Sequence, residues 1–282
     1  MRLRPAGAAT VRPAAGGEAD VAVDLLSRAA FGPTVGRLVE FPRTSPAGCV
    51  LVAEWRGAIR GAACCLSLGA TGWIGALGVV PEARGRGLGS ELTRACVDWL
   101  RGRGAHTVLL YATAMGRPVY ERLGFVAEGG ATAWRGVAGA VSGADGRAAL
   151  RALREDDRPA VRALDRAATG ERRDVVLDAL HPLSGMAADA DGQLVGSAIA
   201  SAWGAGVAIT ASDPAAGERL LASATSGPGG GTVIVPDANE PARDALRRWS
   251  FARLNDGERM RLGPALPWRA DWQWGLFNLF WG

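Results

Sequence analysis

The sequence predicts an α/β chain built as two successive domains, each a mixed β-sheet flanked by helices. Three observations carry this. Apolar residues 74–80 run through Pro81 into a glycine-rich turn, Arg84-Gly85-Arg86-Gly87-Leu88-Gly89, and on into an amphipathic segment with Leu88, Leu92, Cys96 and Trp99 on one face. Two β-rich runs, 49–55 and 59–68, flank Arg56-Gly57-Ala58 and read as a hairpin. The pattern of residues 9–140 then recurs weakly beyond residue 150, with a period of roughly 140 residues.

In chain order, residues 9–13 read as a short strand. Residues 18–31 read as a helix, with Val21, Leu25, Leu26 and Ala29 at helical spacing, stopped by Gly32-Pro33. A second short helix is expected over 34–41, ahead of a loop at 42–48. Residues 71–80 form the strand that enters the glycine turn. After the helix that follows the turn, 107–111 read as a buried strand and 117–123 as a short helix broken by Gly124. Ser142-Gly143-Ala144-Asp145-Gly146 reads as a linker, which divides the chain into 1–140 and 146–266, with an aromatic tail at 267–282.

The whole-chain balance excludes several classes. There are 282 residues, 48% hydrophobic and 21% charged, which is globular composition with length for sizeable cores. All 32 basic residues are arginine, offset by 28 acids to a net charge of +4. The charges are interspersed, with no basic run or basic-aromatic alternation, so no nucleic-acid partner is expected. No stretch has the ~20 apolar residues needed to cross a bilayer, and residues 1–20 lack the apolar core of a secretory signal. Cys49, Cys64, Cys65 and Cys96 lack paired metal-ligand spacing, and His106 and His181 lie far apart. The expectation is a cytoplasmic protein with reduced thiols and no metal.

The chemistry is concentrated at the glycine turn. The first N–H groups of a helix have no intrahelical partners, the helix dipole favours negative charge there, and glycine admits close approach of a ligand. Arg84 and Arg86 add guanidinium groups suited to phosphate. No Lys-Ser/Thr pair follows, so this is not a Walker loop, and the spacing does not fit a Rossmann fingerprint. The pattern Arg-x-x-Gly-x-Gly, with Arg84, Gly87 and Gly89, resembles the GNAT superfamily of N-acetyltransferases. A second landmark, Tyr120-Glu121-Arg122-Leu123-Gly124-Phe125, resembles that superfamily's Tyr-x-x-x-Gly-Phe run.

The resemblance implies two tandem GNAT-like domains and an acetyl-CoA cosubstrate. Its pantetheine arm would pair with the backbone of Leu77, Gly78 and Val79. Its pyrophosphate would lie on the amides of Gly85, Arg86, Gly87, Leu88, Gly89 and Ser90, with the Arg84 and Arg86 side chains as helpers. It further implies Tyr120 as the general acid that protonates the leaving thiolate, and direct attack by a primary amine, expected on a small molecule, in a ternary complex. Two departures stand out. Thr113 takes the place, seven residues before the tyrosine, where many members carry Asn. Residues 73–80 contain no carboxylate to act as base, leaving Glu54 and Glu40 as the nearest acids. Cys64 and Cys65 sit mid-strand, against a nucleophilic role. A non-catalytic acyl-CoA-binding or sensing module, and a GNAT fold with a different acyl-CoA chemistry, remain the alternatives.

The second repeat has the pattern without the chemistry. Leu246 stands where Tyr120 would be, counting back from Phe251, and Ser212-Asp213-Pro214-Ala215-Ala216-Gly217 replaces the glycine turn. It is expected to be a degenerate, structural domain that does not bind acetyl-CoA. The tail, with Trp268, Trp272, Trp274, Phe277, Phe280 and Trp281, is expected to be an aromatic strap; a role in lining an acceptor pocket or a homodimer contact is the sharper alternative.

Overall fold

A computed structural model describes residues 9–141, 148–201 and 203–282. The linker expected at 142–146 lies outside the described residues. The chain divides into two compact units, 1–126 with 260–264 and 281, and 127–259 with 265–280 and 282.

The first unit opens with β1 (Thr10–Pro13) and α1 (Glu18–Leu26), which ends in a π-helical turn over Ser27–Phe31. Two short helices follow, α2 (Val35–Leu38) and α3 (Glu40–Thr44), where one helix and a loop were expected. Pro42 is compatible with a helix here because it falls in the first turn, where its missing N–H has no partner to lose. The antiparallel strands β2 (Gly48–Trp55), β3 (Ala58–Ser67) and β4 (Thr71–Val79) come next, then α4 (Leu88–Arg101), β5 (Thr107–Ala112) and α5 (Arg117–Arg122). The turn between β2 and β3 has positive φ at both Arg56 (54°) and Gly57 (72°), the conformation that matches the twist of a tight hairpin. The strands lie in the order β1-β2-β3-β4-β5.

Helix α4 covers this sheet with Leu88, Leu92, Cys96 and Leu100, all at most 2% exposed. The fourth buried position is thus Leu100, at unbroken i+4 spacing, and Trp99 sits half-buried beneath the Arg103 guanidinium, 4.4 Å away. Met260 joins the same apolar cluster, and Trp281 donates its indole N–H to the Leu38 carbonyl at 3.0 Å.

The second unit comprises β6 (Val126–Gly136, apart from its first residue), β7 (Ala149–Ala152), α6 (Arg158–Thr169), α7 (Asp174–Ala179), β8 (Gly185–Ala190), β9 (Gln193–Ile199), β10 (Ala208–Ala211), α8 (Pro214–Thr225), β11 (Gly231–Pro236), α9 (Glu240–Arg248), most of β12 (Ala252–Leu262) and β13 (Gln273–Gly275). The first compact unit thus ends at 126, and all but the first residue of β6 falls in the second. The cause is β6, whose residues 131–136 run antiparallel to β11. One sheet of this unit runs β13-β10-β9-β8-β7.

The weak repeat has a specific physical counterpart. Arg12 on β1 forks onto Glu18 (2.6 and 2.8 Å) and reaches Glu54 on β2 at 3.4 Å. Arg151 on β7 forks onto Asp157 (2.6 and 2.8 Å) and reaches Asp189 on β8 at 2.5 Å. In each unit the acid also accepts a main-chain N–H three residues before it, from Ala15 and Arg154, both at 2.8 Å. These acids make the fold pH-sensitive. Arg12 and the Ala15 N–H hold the Glu18 carboxyl down at about 2, and Arg151 and the Arg154 N–H lower the Asp157 carboxyl in the same direction. A depressed carboxyl pKa stabilises the fold above the ordinary value of 4.5, and that contribution fades as pH falls toward 2. Melting temperatures measured at pH 5 and pH 2.5 should therefore differ, the lower pH giving the lower value. Arg12→Gln should shrink the difference.

The tail packs into the second unit. Gln273–Gly275 is a strand paired with β10, Trp274 belongs to the second unit's core cluster, and Trp274 and Phe277 are each 1% exposed. Among the described residues, no helix is long and apolar enough to cross a membrane.

Candidate active site

The site begins on β4. This strand pairs with β5 in parallel only over Thr71–Trp73 against Thr107–Leu109; beyond Trp73 the ladder stops. Trp73 and Tyr111 stack with ring centroids 5.6 Å apart and planes within 19°, placing bulky rings where the two strands part. On its other side β4 stays paired with β3, but with a bulge: Cys64 faces Gly75 and Ala62 faces Gly78, so Ala76 and Leu77 together oppose Ala63. Ala76 takes up the irregularity with φ +48°, a conformation unfavourable for a residue with a Cβ. A bulge re-aims the backbone locally, and it lies where the β5-facing edge of β4 has lost its ladder.

The three predicted strand residues have different tasks. Leu77 and Val79 pack on the same apolar cluster as α4. Gly78 is glycine for a packing reason: a Cβ there would lie 2.9 Å from the Leu26 side chain on α1. Arg84 braces the end of the strand, donating Nε–H to the Val79 carbonyl (3.1 Å) and Nη2–H to the Ala29 carbonyl (2.9 Å). Its guanidinium is thereby committed to main-chain carbonyls. Arg86 instead lies over the Trp55 ring at 4.8 Å, beside Arg56 at 4.3 Å from the same ring. Trp55 and Arg56 were missed at the sequence level; the hairpin turn brings them to the glycine loop, because β3 lies alongside β4 and Val80 N–H bonds to the Arg60 carbonyl (2.9 Å).

The glycine turn has the features of an anion site. Gly85 (φ +73°) and Gly87 (φ +84°) occupy the left-handed region that glycine alone adopts without strain. Gly89 differs, since it lies inside α4 with no positive φ and no atom within 4 Å of a hypothetical Cβ. Neither conformation nor packing requires glycine there. The space in front of Gly85 and Gly87 is equally open. No side chain caps α4, and its first intrahelical bond is Glu91 N–H to Gly87 carbonyl, so the amides of Leu88, Gly89 and Ser90 precede the ladder. Main-chain donors, the positive end of a 14-residue helix and open space coincide.

Tyr120 lies on α5, 8% exposed, in the apolar cluster that contains Leu88, Leu92 and Cys96 of α4. Phe125 meets its ring edge-to-face at 5.8 Å. Burial pushes the phenol well above its ordinary value of 10, and the neighbouring Cys96 adds to the rise. Thr113 positions this helix: its hydroxyl accepts the Gly116 N–H at 3.2 Å and its carbonyl accepts the Arg117 N–H at 2.9 Å. The O–H of Thr113 can still donate. Gly116 is small because a Cβ would come within 3.1 Å of Tyr120 Cε2.

The acids and thiols nearby are otherwise occupied. Glu54 pairs with Arg12, and Glu40 receives Arg43 through three hydrogen bonds of 2.8–3.1 Å. Burial pushes the Cys64 thiol up to about 12, and Cys65, hydrogen-bonded to Cys96, moves in the same direction. Thiols held protonated at neutral pH are poor nucleophiles.

The model of the Acetyltransferase (GNAT) family matches residues 25–125, from α1 through the glycine turn to Phe125. Residues 25–125 carry a GNAT-family acetyltransferase domain. GNAT acetyltransferases take their acetyl group from acetyl-CoA. Mycothiol acetyltransferase of Arthrobacter sp. (strain FB24) is 46% identical over 59 residues, 20% of this chain and 18% of that protein. The chain thus spans about a fifth of the length of this curated relative. Among solved structures, a putative acetyltransferase from Pyrococcus horikoshii superposes with TM-score 0.79 at 21% identity, covering 100% of this chain and 98% of that one. A tandem GNAT protein from the clavulanic acid biosynthesis pathway superposes with TM-score 0.55 at 16% identity, covering 92% and 100%. Both likenesses show the fold. Within the matched residues, the uncapped start of α4 and the end of β4 that parts from β5 are the two ends of one glycine turn.

Proposed function

We propose that the chain is an acetyl-CoA-dependent N-acetyltransferase whose first half, residues 1–140, is catalytic. Its second half, 146–266, is a degenerate GNAT-like domain. The observation that carries the reading is Gly89: a helical glycine with open space before it, required by neither backbone nor packing, at an uncapped helix N-terminus. A diphosphate fits that description, and the amides of residues 85–90 hold it, with Arg86 beside them. Arg84 contributes by fixing the end of β4 instead of touching phosphate. The pantetheine arm runs along Leu77–Val79 in the gap beside β5, and the bulge at Ala76 directs an N–H to the thioester carbonyl. Thr113 sets α5 and so places Tyr120 for protonation of the departing CoA thiolate. The nucleophile is a primary amine on a small molecule, attacking directly in a ternary complex in the cytoplasm. Mycothiol chemistry enters the acceptor panel through the name of the relatives. A homodimer contact through the tail would use rings other than Trp274 and Phe277, which are interior.

The occupied acids bear on the mechanism. With Glu54 and Glu40 paired to arginines and no carboxylate between 73 and 80, the reading is that no side chain serves as base, and the amine arrives neutral or loses its proton to solvent. The rate constant kcat/KM should then climb about tenfold per pH unit below the acceptor's own pKa and level off there. Thiol release from acetyl-CoA, followed from pH 6 to 9 with two amines of different pKa, checks this. A plateau that moves with the amine supports the reading; one fixed near pH 6–7 for both amines would reveal an enzymic base.

A further inference from the structure

The two units treat the gap beside their fourth sheet strand differently. In the first unit β4 and β5 part beyond Trp73, and among the described residues no other strand is paired to the 74–79 edge that faces β5. In the second unit β7-β8-β9-β10 reproduces the order β1-β2-β3-β4, and β11, which follows the next helix, is the counterpart of β5. Yet β10 is not paired with β11. It is paired antiparallel with β13, through Ile209 opposite Gly275 and Thr210 opposite Gln273. From the other side, Leu276 N–H bonds to the Ile234 carbonyl on β11 at 2.8 Å. Gly275 has no room for a side chain. A Cβ would meet the Val207 carbonyl at 2.3 Å and stand 3.1 Å from Val233 and 3.3 Å from Ile209.

The helix terminus beside this gap is filled as well. Where α4 begins with Gly87 and no cap, α8 begins with Asp213, whose carboxylate accepts the Ala215 N–H at 3.1 Å. Gly217, in the first turns of α8, lies against the Trp274 indole, with a hypothetical Cβ only 2.1 Å from the ring. Further bonds fix the tail segment: Asn239 Nδ2–H to the Gln273 carbonyl (3.0 Å), Trp268 Nε1–H to Gln273 Oε1 (2.6 Å) and Ala205 N–H to the Phe277 carbonyl (2.7 Å). The Arg173 guanidinium, buried and paired with Asp165, lies 5.6 Å from the Phe277 ring.

We propose that residues 273–277 are an internal occupant of the second unit's cofactor cleft: a strand of this chain takes the pantetheine position and Asp213 takes the pyrophosphate position. The inference rests on the GNAT-like reading of the second half given above. Its physical sense is that an open strand edge inside a fold leaves main-chain N–H and C=O groups unpaired, and a peptide strand satisfies them permanently. The chain accordingly binds one CoA, in the first unit only.

Hydrogen–deuterium exchange of the intact chain, with and without saturating CoA, tests this. Amides in 207–211 and 273–277 should exchange at least about 100-fold slower than free chain in both conditions, and CoA should add protection within 74–90 alone. Calorimetry should give one CoA per chain. Rapid exchange of 273–277, CoA-dependent protection of 207–217, or two CoA per chain overturns the proposal. If CoA protects no segment, the functional reading fails, while slow exchange of 273–277 still upholds the filled cleft. Gly275→Val provides a second measurement, since its side chain cannot fit. It should speed exchange at 207–211 at least about tenfold and leave first-unit CoA affinity unchanged; unchanged exchange there counts against the strand's placement. If that variant does not fold, the exchange pattern and stoichiometry of the unaltered chain decide.

Discussion

Gly89→Asp is expected to lower CoA affinity about 100-fold while leaving the fold as stable as before or slightly more so. The position is the second residue of α4, where an added Cβ has no neighbouring atom within 4 Å. Replacing glycine inside a helix gains roughly 0.5 kcal/mol of propensity, and a carboxylate in the first turn gains a few tenths more from the dipole. The same carboxylate would compete for the amides that the diphosphate needs and repel its charge. Charge-assisted hydrogen bonds are worth about 1.5–3 kcal/mol each, so losing one or two gives the stated factor. The second unit already shows the arrangement in Asp213 at the start of α8. Calorimetric titration with CoA, beside a thermal melt, measures both quantities. Undiminished affinity would move the diphosphate away from α4, and a collapse of the melt would show that Gly89 has a packing role after all.

Tyr120→Phe is expected to reduce turnover about 10²- to 10³-fold with CoA affinity within about twofold of the original. Phenylalanine preserves the edge-to-face contact with Phe125 and the place in the apolar cluster, so only the hydroxyl is lost. The raised phenol pKa keeps the proton on Tyr120 well past neutral pH, which supplies the acid form throughout the working range. It also makes Tyr120 a weak acid for a thiolate in water. A thiol leaving into the same buried surroundings would be shifted in the same direction, because burial disfavours the charged form of either group. Single-turnover thiol release and CoA titration separate chemistry from binding. Unchanged turnover would remove the acid role, and equal losses in both measurements would make Tyr120 a packing residue.

Much of the fold was legible because its signals are local. The hairpin at Arg56-Gly57, the apolar period of α4 and the break at Gly124 (φ +88°) are each fixed by a few adjacent residues. So was the shared scaffold of the repeat: Phe251 N–H bonds to the Leu246 carbonyl as Phe125 N–H bonds to that of Tyr120, at 2.9 and 3.1 Å. The site was legible to the same extent, since the amides of 85–90 belong to a strand–turn–helix contiguous in sequence. The task of Arg84 was not, because its partners are the carbonyls of Val79 and Ala29, and a carbonyl leaves no trace in residue identity. The stacking of Arg86 and Arg56 on Trp55 depends likewise on which strands become neighbours. Gly78 looked like part of the cofactor run and is set by Leu26, more than fifty residues earlier.

By itself, then, the sequence determined an α/β chain with a glycine-rich helix start suited to an anion, a tyrosine at the end of a short helix, and a weak second repeat whose matching positions hold neither. These follow from backbone preference and helical period, which neighbouring residues decide. Only the tertiary structure decided where the tail belongs, that the first compact unit ends at 126, and that Glu54 and Glu40 are held by arginines. Strand partners and charge partners are chosen across long stretches of chain by which edges remain unpaired, and no local pattern of side chains encodes that choice.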